Sequence, residues 1–242
     1  MILAPDRSKL SKRHGATAVS DFVKEGYLTD ALINFVALLG WSPSDGEEIK
    51  TVDQIAQDFR IGEISSSNSI FEYDKLKWMN GHYIKMLPID KLKEMLKPYL
   101  TKYPLNELTD EQYTHMVEIT REPLTLLSDI TDAVPYFFGK DVYIEPEAQE
   151  KTLDTDTAQE VLADFVSKAN DWDWTYENLE EKLAEFRAYW KETKGIKPKV
   201  TMWAVRAAIT GRTCGADMCG ILVILGKETS LYRAQKAIKQ TV

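Results

Sequence analysis

The sequence predicts an all-α protein. Apolar residues recur at the i, i+3, i+4 and i+7 spacing of an amphipathic helix through most of the chain. Residues that typically start or end helices stand at the limits of these stretches. No segment alternates convincingly between apolar and polar residues, and the one candidate for extended chain is the short run 142–144.

Helices of the first half begin and end at recognisable capping residues. The first long helix is expected to end at Gly40, because glycine readily takes the left-handed conformation that follows a helix. Thr51 and Gln54 have the spacing of a capping box. Thr109 and Gln112 repeat that spacing before a later helix. The apolar stripes are Leu32, Phe35, Val36 and Leu39; Val52, Ile55 and Phe59; Leu76, Met79, Tyr83, Ile84 and Leu87; Leu92, Met95, Leu96 and Tyr99; and Tyr113, Met116 and Val117.

Helices of the second half are punctuated by glycine. Lys191 and Lys194 precede Gly195, which is typical of a helix end where positive charge offsets the helix dipole. Gly211 and Gly226 are expected to end two later helices. The apolar stripes are Ala158, Val161, Leu162, Phe165, Val166 and Ala169; Leu179, Leu183, Phe186 and Trp190; Met202, Val205 and Ile209; Met218, Ile221, Leu222 and Leu225; and Leu231, Ala234 and Ile238.

Composition places this chain of 242 residues among globular proteins, with 44% hydrophobic and 28% charged residues. Its apolar runs are too short to cross a membrane, and its first residues do not form a signal peptide. A net charge of −8 argues against nucleic-acid binding by bulk electrostatics and leaves local basic surfaces open. We predict three parts, at residues 1–87, 88–150 and 151–242, the last two divided by an acidic segment.

Cysteine and histidine are scarce. Cys214 and Cys219 cannot form a disulfide framework, and we expect them to be free thiols in a reducing compartment. Zinc in proteins needs about four ligands. Since the three histidines, His14, His82 and His115, are scattered along the sequence, we predict no metal site.

A basic loop near the start of the chain is the sharpest chemical signal. Lys9, Ser11, Lys12 and Arg13 put three mobile cations and a hydroxyl donor on one short segment. Such a set suits a nucleoside triphosphate, whose negative charge grows on the leaving pyrophosphate as a carboxylate attacks the α-phosphate. A solvated basic loop without a ligand is the alternative, because short clusters of lysine and arginine are common.

Four segments in order resemble one family. The run KLSKRHGA at residues 9–16 resembles the lysine loop of class I aminoacyl-tRNA synthetases, and specifically of glutamyl-tRNA synthetase. The helix ending in ALLGWSP, the segment FEYDKLKWMNGHYI and the pair MWAVRAAITG and ILVILGKE are similar to later segments of that family. The resemblance spans nearly the whole chain.

The resemblance implies a reaction and a division of labour. The parent enzyme would use ATP and Mg²⁺ to activate glutamate and then transfer it to tRNA. Lys12 would contact ATP, with Lys9, Ser11 and Arg13 supporting it as catalytic residues. The nucleotide-binding catalytic domain would lie upstream, so we expect this chain alone to be inactive in aminoacylation. The remainder would be a stem-contact helical region followed by two helical-bundle modules, an α-helix cage that binds the anticodon.

Four residues correspond to anticodon-contacting positions of that family. Arg206 matches an arginine that contacts anticodon bases, which a guanidinium can do by stacking and edge hydrogen bonds. Gly215 and Met218 lie in the loop that follows, where CGADM replaces the family's usual "GPDL". Arg187 lies beside a further arginine position. A salt bridge inside the helical bundle is the alternative role for Arg206.

The implied partner is tRNA-Glu. Members that exclude tRNA-Gln often carry an arginine where this chain has Pro123, with Arg121 two residues earlier. The chain is therefore expected to come from a non-discriminating enzyme that also accepts tRNA-Gln.

We expect a cytoplasmic monomer that does not bind membranes, although an organellar location stays open. The alternatives are a glutaminyl-type or other class I synthetase tail and a helical adaptor that never binds RNA.

Overall fold

The computed structural model describes residues 1–11, 13, 15 and 18–238. It confirms the all-α prediction, because nearly all regular structure in these ranges is helical. The helices are α1 Val19–Glu25, α2 Thr29–Leu38, α3 Val52–Asp58, α4 Tyr73–Met86, α5 Ile89–Leu96, α6 Asp110–Thr120, α7 Ile130–Ala133, α8 Pro146–Ala148, α9 Asp156–Ala169, α10 Tyr176–Lys194, α11 Pro198–Thr210 and α12 Met218–Ala237. Short 3₁₀ turns and a π-helical turn at Gln149–Leu153 connect some of them.

The chain divides into two compact units. Unit 1 comprises residues 1–102 and 121–132, and unit 2 comprises residues 103–120 and 133–242. The predicted boundaries at residues 87 and 150 concern domains rather than compact units, and they stay a prediction.

Unit 1 is built around an aromatic and aliphatic core. Helix α2 packs against α4, and the rings of Phe22, Phe35 and Phe71 meet in stacked and edge-on pairs. Two short strands, β1 Ile2–Leu3 and β2 Ser69–Ile70, pair in parallel beside this core. Two-residue strands are too short to show an alternating pattern, which is why the sequence did not predict them.

Buried amides tie the loops of unit 1 to its helices. The fully buried Asn80 of α4 accepts from the Leu28 backbone N–H at 2.7 Å and donates to the Thr125 carbonyl at 2.6 Å. The capping box predicted at Thr51 and Gln54 is confirmed by reciprocal hydrogen bonds of 3.2 and 2.8 Å. The Asn80 bonds satisfy backbone groups that burial would otherwise leave unpaired, and the capping box satisfies N–H groups at the start of α3.

Unit 2 is a cluster of helices around α11. Helix α11 packs against α9, α10 and α12, and α12 also packs against α6. The capping box predicted at Thr109 and Gln112 is confirmed by hydrogen bonds of 2.9 and 3.1 Å. Gly195, Gly211 and Gly226 all take positive φ where helices were predicted to end. At Gly226 the chain breaks α12 into two helical segments.

The run 142–144 forms neither a helix nor a strand ladder among the described residues. It lies against the end of α11, where the Glu145 N–H donates to the Gly211 carbonyl at 2.9 Å. No helix in the described ranges is long and apolar enough to span a membrane. Within the same ranges, no three His, Cys, Asp or Glu side chains gather closely enough to hold a metal ion.

Candidate nucleic-acid interface

Arg206 lies near the end of α11, where it is half-buried. Its Nη1 donates to the Ala216 carbonyl at 2.8 Å, which ties the helix to the loop that follows it. Burial lowers the pKa of the guanidinium, and the nearby Tyr136 and Asp217 oppose that shift. In the described part of the chain no carboxylate lies within 4.0 Å of it, so Arg206 is not held in a salt bridge there. A guanidinium has five N–H donors, and the Ala216 carbonyl takes one.

The loop from Gly211 to Asp217 approaches Arg206 because two glycines permit it. Gly211 has a φ of 75°, and a Cβ there would clash with the Tyr143 carbonyl. Gly215 has a φ of 140°, and its position for a Cβ lies 3.6 Å from Nη1 of Arg206. At Gly215 the loop therefore presents main chain beside the guanidinium. Gly215 itself is exposed.

The start of α12 follows directly. Asp217 caps the helix, since its Oδ2 accepts from the Gly220 N–H at 2.7 Å. The carboxylate of Asp217 also raises the pKa of Tyr176, which it contacts through a hydrogen bond. Met218 is 5% exposed, so its side chain packs inside unit 2. A contact of Met218 with RNA in this conformation would therefore use its main chain.

Arg187 approaches the same helix start from α10. Its Nε donates to the Leu183 carbonyl one turn earlier at 3.1 Å, and the side chain is half-buried. Its charge acts to lower the pKa of Cys219, the second residue of α12. Burial dominates and raises that pKa to about 11. The structure thus brings Arg206 and Gly215 close together and places Arg187 near enough to Cys219 for its charge to act on the thiol.

The lysine loop lies in unit 1. Lys9 forms an antiparallel bridge with Leu3, and its side chain is exposed. Ser11 is half-buried and Arg13 is exposed. Lys12, the residue predicted to contact ATP, lies outside the described residues, as does His14. The described part of the loop therefore offers two exposed cations.

Two residues that pack around Arg206 and its neighbours were not singled out from the sequence. Tyr136 is 4% exposed, and its ring hydroxyl lies beside Gly215 and Arg206. Arg233 is 2% exposed and donates to four main-chain carbonyls, those of Tyr136, Gly139, Lys140 and Ile209, at 2.7 to 3.0 Å. No sequence signal marks a carbonyl-bound arginine, because its partners are main-chain atoms far away in the chain. The sequence feature that comes nearest to such a signal is the position of this arginine among the apolar residues of the last helix.

Two known protein families match this chain. Residues 91–238 match the family described as "Anticodon binding domain". Residues 1–78 match "tRNA synthetases class I (E and Q), catalytic domain". The chain therefore belongs to the anticodon-binding domain family of class I aminoacyl-tRNA synthetases.

Similar proteins narrow the class further. A glutamate–tRNA ligase from Caldanaerobacter subterraneus is 40% identical over 99% of this chain, and one from Natranaerobius thermophilus is 35% identical over 99%. The crystal structure of a glutamate tRNA ligase from Elizabethkingia meningosepticum matches 98% of the chain with a TM-score of 0.83 and 26% identity. Within its class, this chain is therefore similar to glutamate–tRNA ligases along nearly all of its own length. It spans about half the length of these relatives, covering 50% of each.

Proposed function

We propose that this chain is the tRNA-binding half of a glutamate–tRNA ligase and that unit 2 binds the anticodon of tRNA-Glu. The observation that carries the proposal is the position of Arg206. It is half-buried, its described protein partner is a single carbonyl, and it lies beside an exposed glycine loop. Such a guanidinium is held in place and keeps donors for the edge of an unpaired base. Arg187 and the main chain of Gly215 and Met218 would complete the contact.

The parent reaction would be ATP-dependent attachment of glutamate to tRNA, and residues 1–78 of this chain match the catalytic-domain family of such enzymes. ATP, when bound, would supply the adenylate group that activates glutamate in that reaction. Lys9, Ser11, Lys12 and Arg13 would then stabilise charge on the leaving pyrophosphate. The exposure of Lys9 and Arg13 is compatible with such a role. The chain alone is expected not to aminoacylate tRNA, and we place the parent enzyme in the cytoplasm as a monomer.

The choice of tRNA is a separate part of the proposal. Arg121 cannot replace the arginine that is missing at Pro123, because its guanidinium donates to the carbonyls of Lys85 and Leu87 at the end of α4. This supports an enzyme that does not reject tRNA-Gln. The full-length parent should charge tRNA-Glu and tRNA-Gln transcripts at comparable rates. Strict rejection of tRNA-Gln would contradict this part alone.

Binding of a tRNA-Glu transcript by the 242-residue chain tests the main proposal. We expect Kd to rise steeply with salt, because phosphate contacts release counterions. Arg206→Ala should weaken binding by roughly 10- to 100-fold, as expected for loss of a base contact worth about 1–3 kcal/mol. Arg60→Ala is the matched control, since it removes an exposed arginine of unit 1 that donates to its own neighbouring carbonyls.

The competing function is a helical adaptor that binds proteins and not RNA. It predicts tRNA affinity that responds neither to salt nor to Arg206→Ala, with helicity retained in the variant. That outcome would overturn the proposal. The family match over residues 91–238 gives no support to the adaptor.

A further inference from the structure

Four exposed lysines lie at the junction between α10 and α11. Two stand in the last turn of α10, Gly195 turns the chain with a φ of 67°, and two stand at the start of α11. One carboxylate, Glu192, lies within this stretch. We call the lysines the lysine junction; they are Lys191, Lys194, Lys197 and Lys199.

The charge of the lysine junction is largely uncompensated. Lys194 lies 3.7 Å from Glu160, in an exposed pair with little net attraction in water. For the other three lysines, the described residues provide no carboxylate within 4.0 Å. The start of α11 adds the partial positive charge of a helix N-terminus. On a chain of net charge −8, this is a local positive surface.

An exposed tryptophan continues this surface along α11. Trp203 is 36% exposed, and the Nζ of Lys199 lies 4.6 Å from its ring centroid. Lys199, Trp203 and Arg206 are spaced i, i+4 and i+7, so they share one face of the helix. A cation, an aromatic ring and the proposed base-reading arginine therefore follow one another toward the loop at Gly211.

We propose that this face of α11 and the lysine junction form a second RNA-contact surface. The lysines would bind phosphates next to the anticodon, and Trp203 would stack on an unpaired base. Aromatic rings interleaved with cations are typical of single-strand RNA binding. An acidic protein segment would match the charge but would not explain the continuity with Arg206. The inference rests on the proposed function and names further residues that carry it out.

The salt dependence of tRNA binding tests the phosphate contacts. In Lys197→Gln/Lys199→Gln, the slope of log affinity against log salt should fall by about 1 to 2, because each lost phosphate contact removes close to one unit. The pair Lys151→Gln/Lys227→Gln removes the same charge from unit 2 at other exposed lysines and should leave the slope nearly unchanged. Circular dichroism establishes that every variant is folded.

Substitution of the tryptophan tests the stacking contact. Trp203→Leu should weaken binding of the tRNA-Glu transcript roughly tenfold, and Trp203→Phe should recover most of the loss, because base stacking needs a ring. The loss of affinity in Lys197→Gln/Lys199→Gln and in Trp203→Leu should not depend on the identity of the anticodon bases. The loss in Arg206→Ala should depend on them, since that residue is proposed to read a base.

The outcomes separate the two proposals. Salt-dependent binding that falls with Arg206→Ala, but is unaffected by the lysine pair and Trp203→Leu, would overturn this inference and leave the proposed function standing. Absence of salt-dependent tRNA binding by the unsubstituted chain would overturn both. Binding of a polyglutamate peptide at the junction, with tRNA affinity unchanged by the lysine pair, would assign the surface to an acidic protein instead.

Discussion

Arg206 and Arg233 occupy neighbouring parts of unit 2 and differ in how their donors are used. Arg233 is 2% exposed, and the described residues give it four carbonyl acceptors at the end of α11 and in the segment 136–140. Arg206 is half-buried, and one carbonyl accepts from it. Burial lowers the pKa of both, that of Arg233 to about 10, which leaves it charged at neutral pH.

The difference separates an arginine that stabilises the fold from one that is available for recognition. Buried charge is costly unless hydrogen bonds compensate it, and Arg233 obtains that compensation from the protein itself. Arg206 obtains only part of it and lies beside an exposed loop. An RNA base is a suitable acceptor for the remaining donors. Arg233 also bonds the Tyr136 carbonyl, so it supports the residue that packs beside Arg206.

The largest expected effect is on Arg233. Arg233→Met should lower the free energy of unfolding by about 3 kcal/mol or more, because it leaves several buried carbonyls without donors. Urea unfolding of the chain measures it. Lys236→Met is the control, since its exposed pair with Asp141 should contribute less than about 1 kcal/mol. Equal losses of unfolding free energy in the two variants would contradict the structural role assigned to Arg233.

A glycine comparison tests the loop that brings main chain to Arg206. Gly211→Ala should destabilise by roughly 2 kcal/mol or more, combining left-handed strain with a clash on the Tyr143 carbonyl. Gly195→Ala has a similar positive φ and nothing within 4 Å, so it should cost about 1 kcal/mol from strain alone. Thermal or urea unfolding measures both. If the two cost the same, the close approach at Gly211 is not energetically important.

The helix cap beside Arg206 should have a smaller effect. Asp217→Ala removes the acceptor of the Gly220 N–H and should cost about 1 kcal/mol, as other N-cap replacements do. Asp217→Asn should retain most of the stability, because its side-chain oxygen can still accept. The unfolding midpoints of the two variants, compared with that of the unsubstituted chain, measure these losses of stability. A loss in the asparagine variant as large as in the alanine variant would point to charge rather than capping.

The smallest effect on stability is expected at Arg206. Arg206→Met keeps much of the apolar stem and should change the free energy of unfolding by less than about 1 kcal/mol, while tRNA affinity falls. Urea unfolding and fluorescence anisotropy with a tRNA-Glu transcript measure the two quantities. A stability loss comparable to that of Arg233→Met would mean that Arg206 serves the fold, and the contrast between the arginines would be wrong.

Much of the fold followed from local patterns. The capping boxes at Thr51 and Thr109 and the helix ends at Gly195 and Gly211 depend on neighbouring residues, so the sequence was sufficient to predict them. The pairing of β1 with β2 depends on residues about 67 positions apart, from Ile2 to Ser69, and two-residue strands carry no period. That pairing was missed.

The candidate site likewise combines features that the sequence predicted with features that it could not predict. The sequence by itself determined the helices, the glycine positions and the residues whose pattern matches the synthetase family, because these properties are local or resemble known segments. Only the tertiary structure decided that Arg206 meets one carbonyl while Arg233 meets four, that Met218 is buried, and that Lys199 lies over Trp203. Burial and hydrogen-bond partners depend on which distant main-chain atoms surround a side chain. The packing of the helices in unit 2, rather than the type of residue, therefore separates its structural arginine from the one proposed to bind RNA.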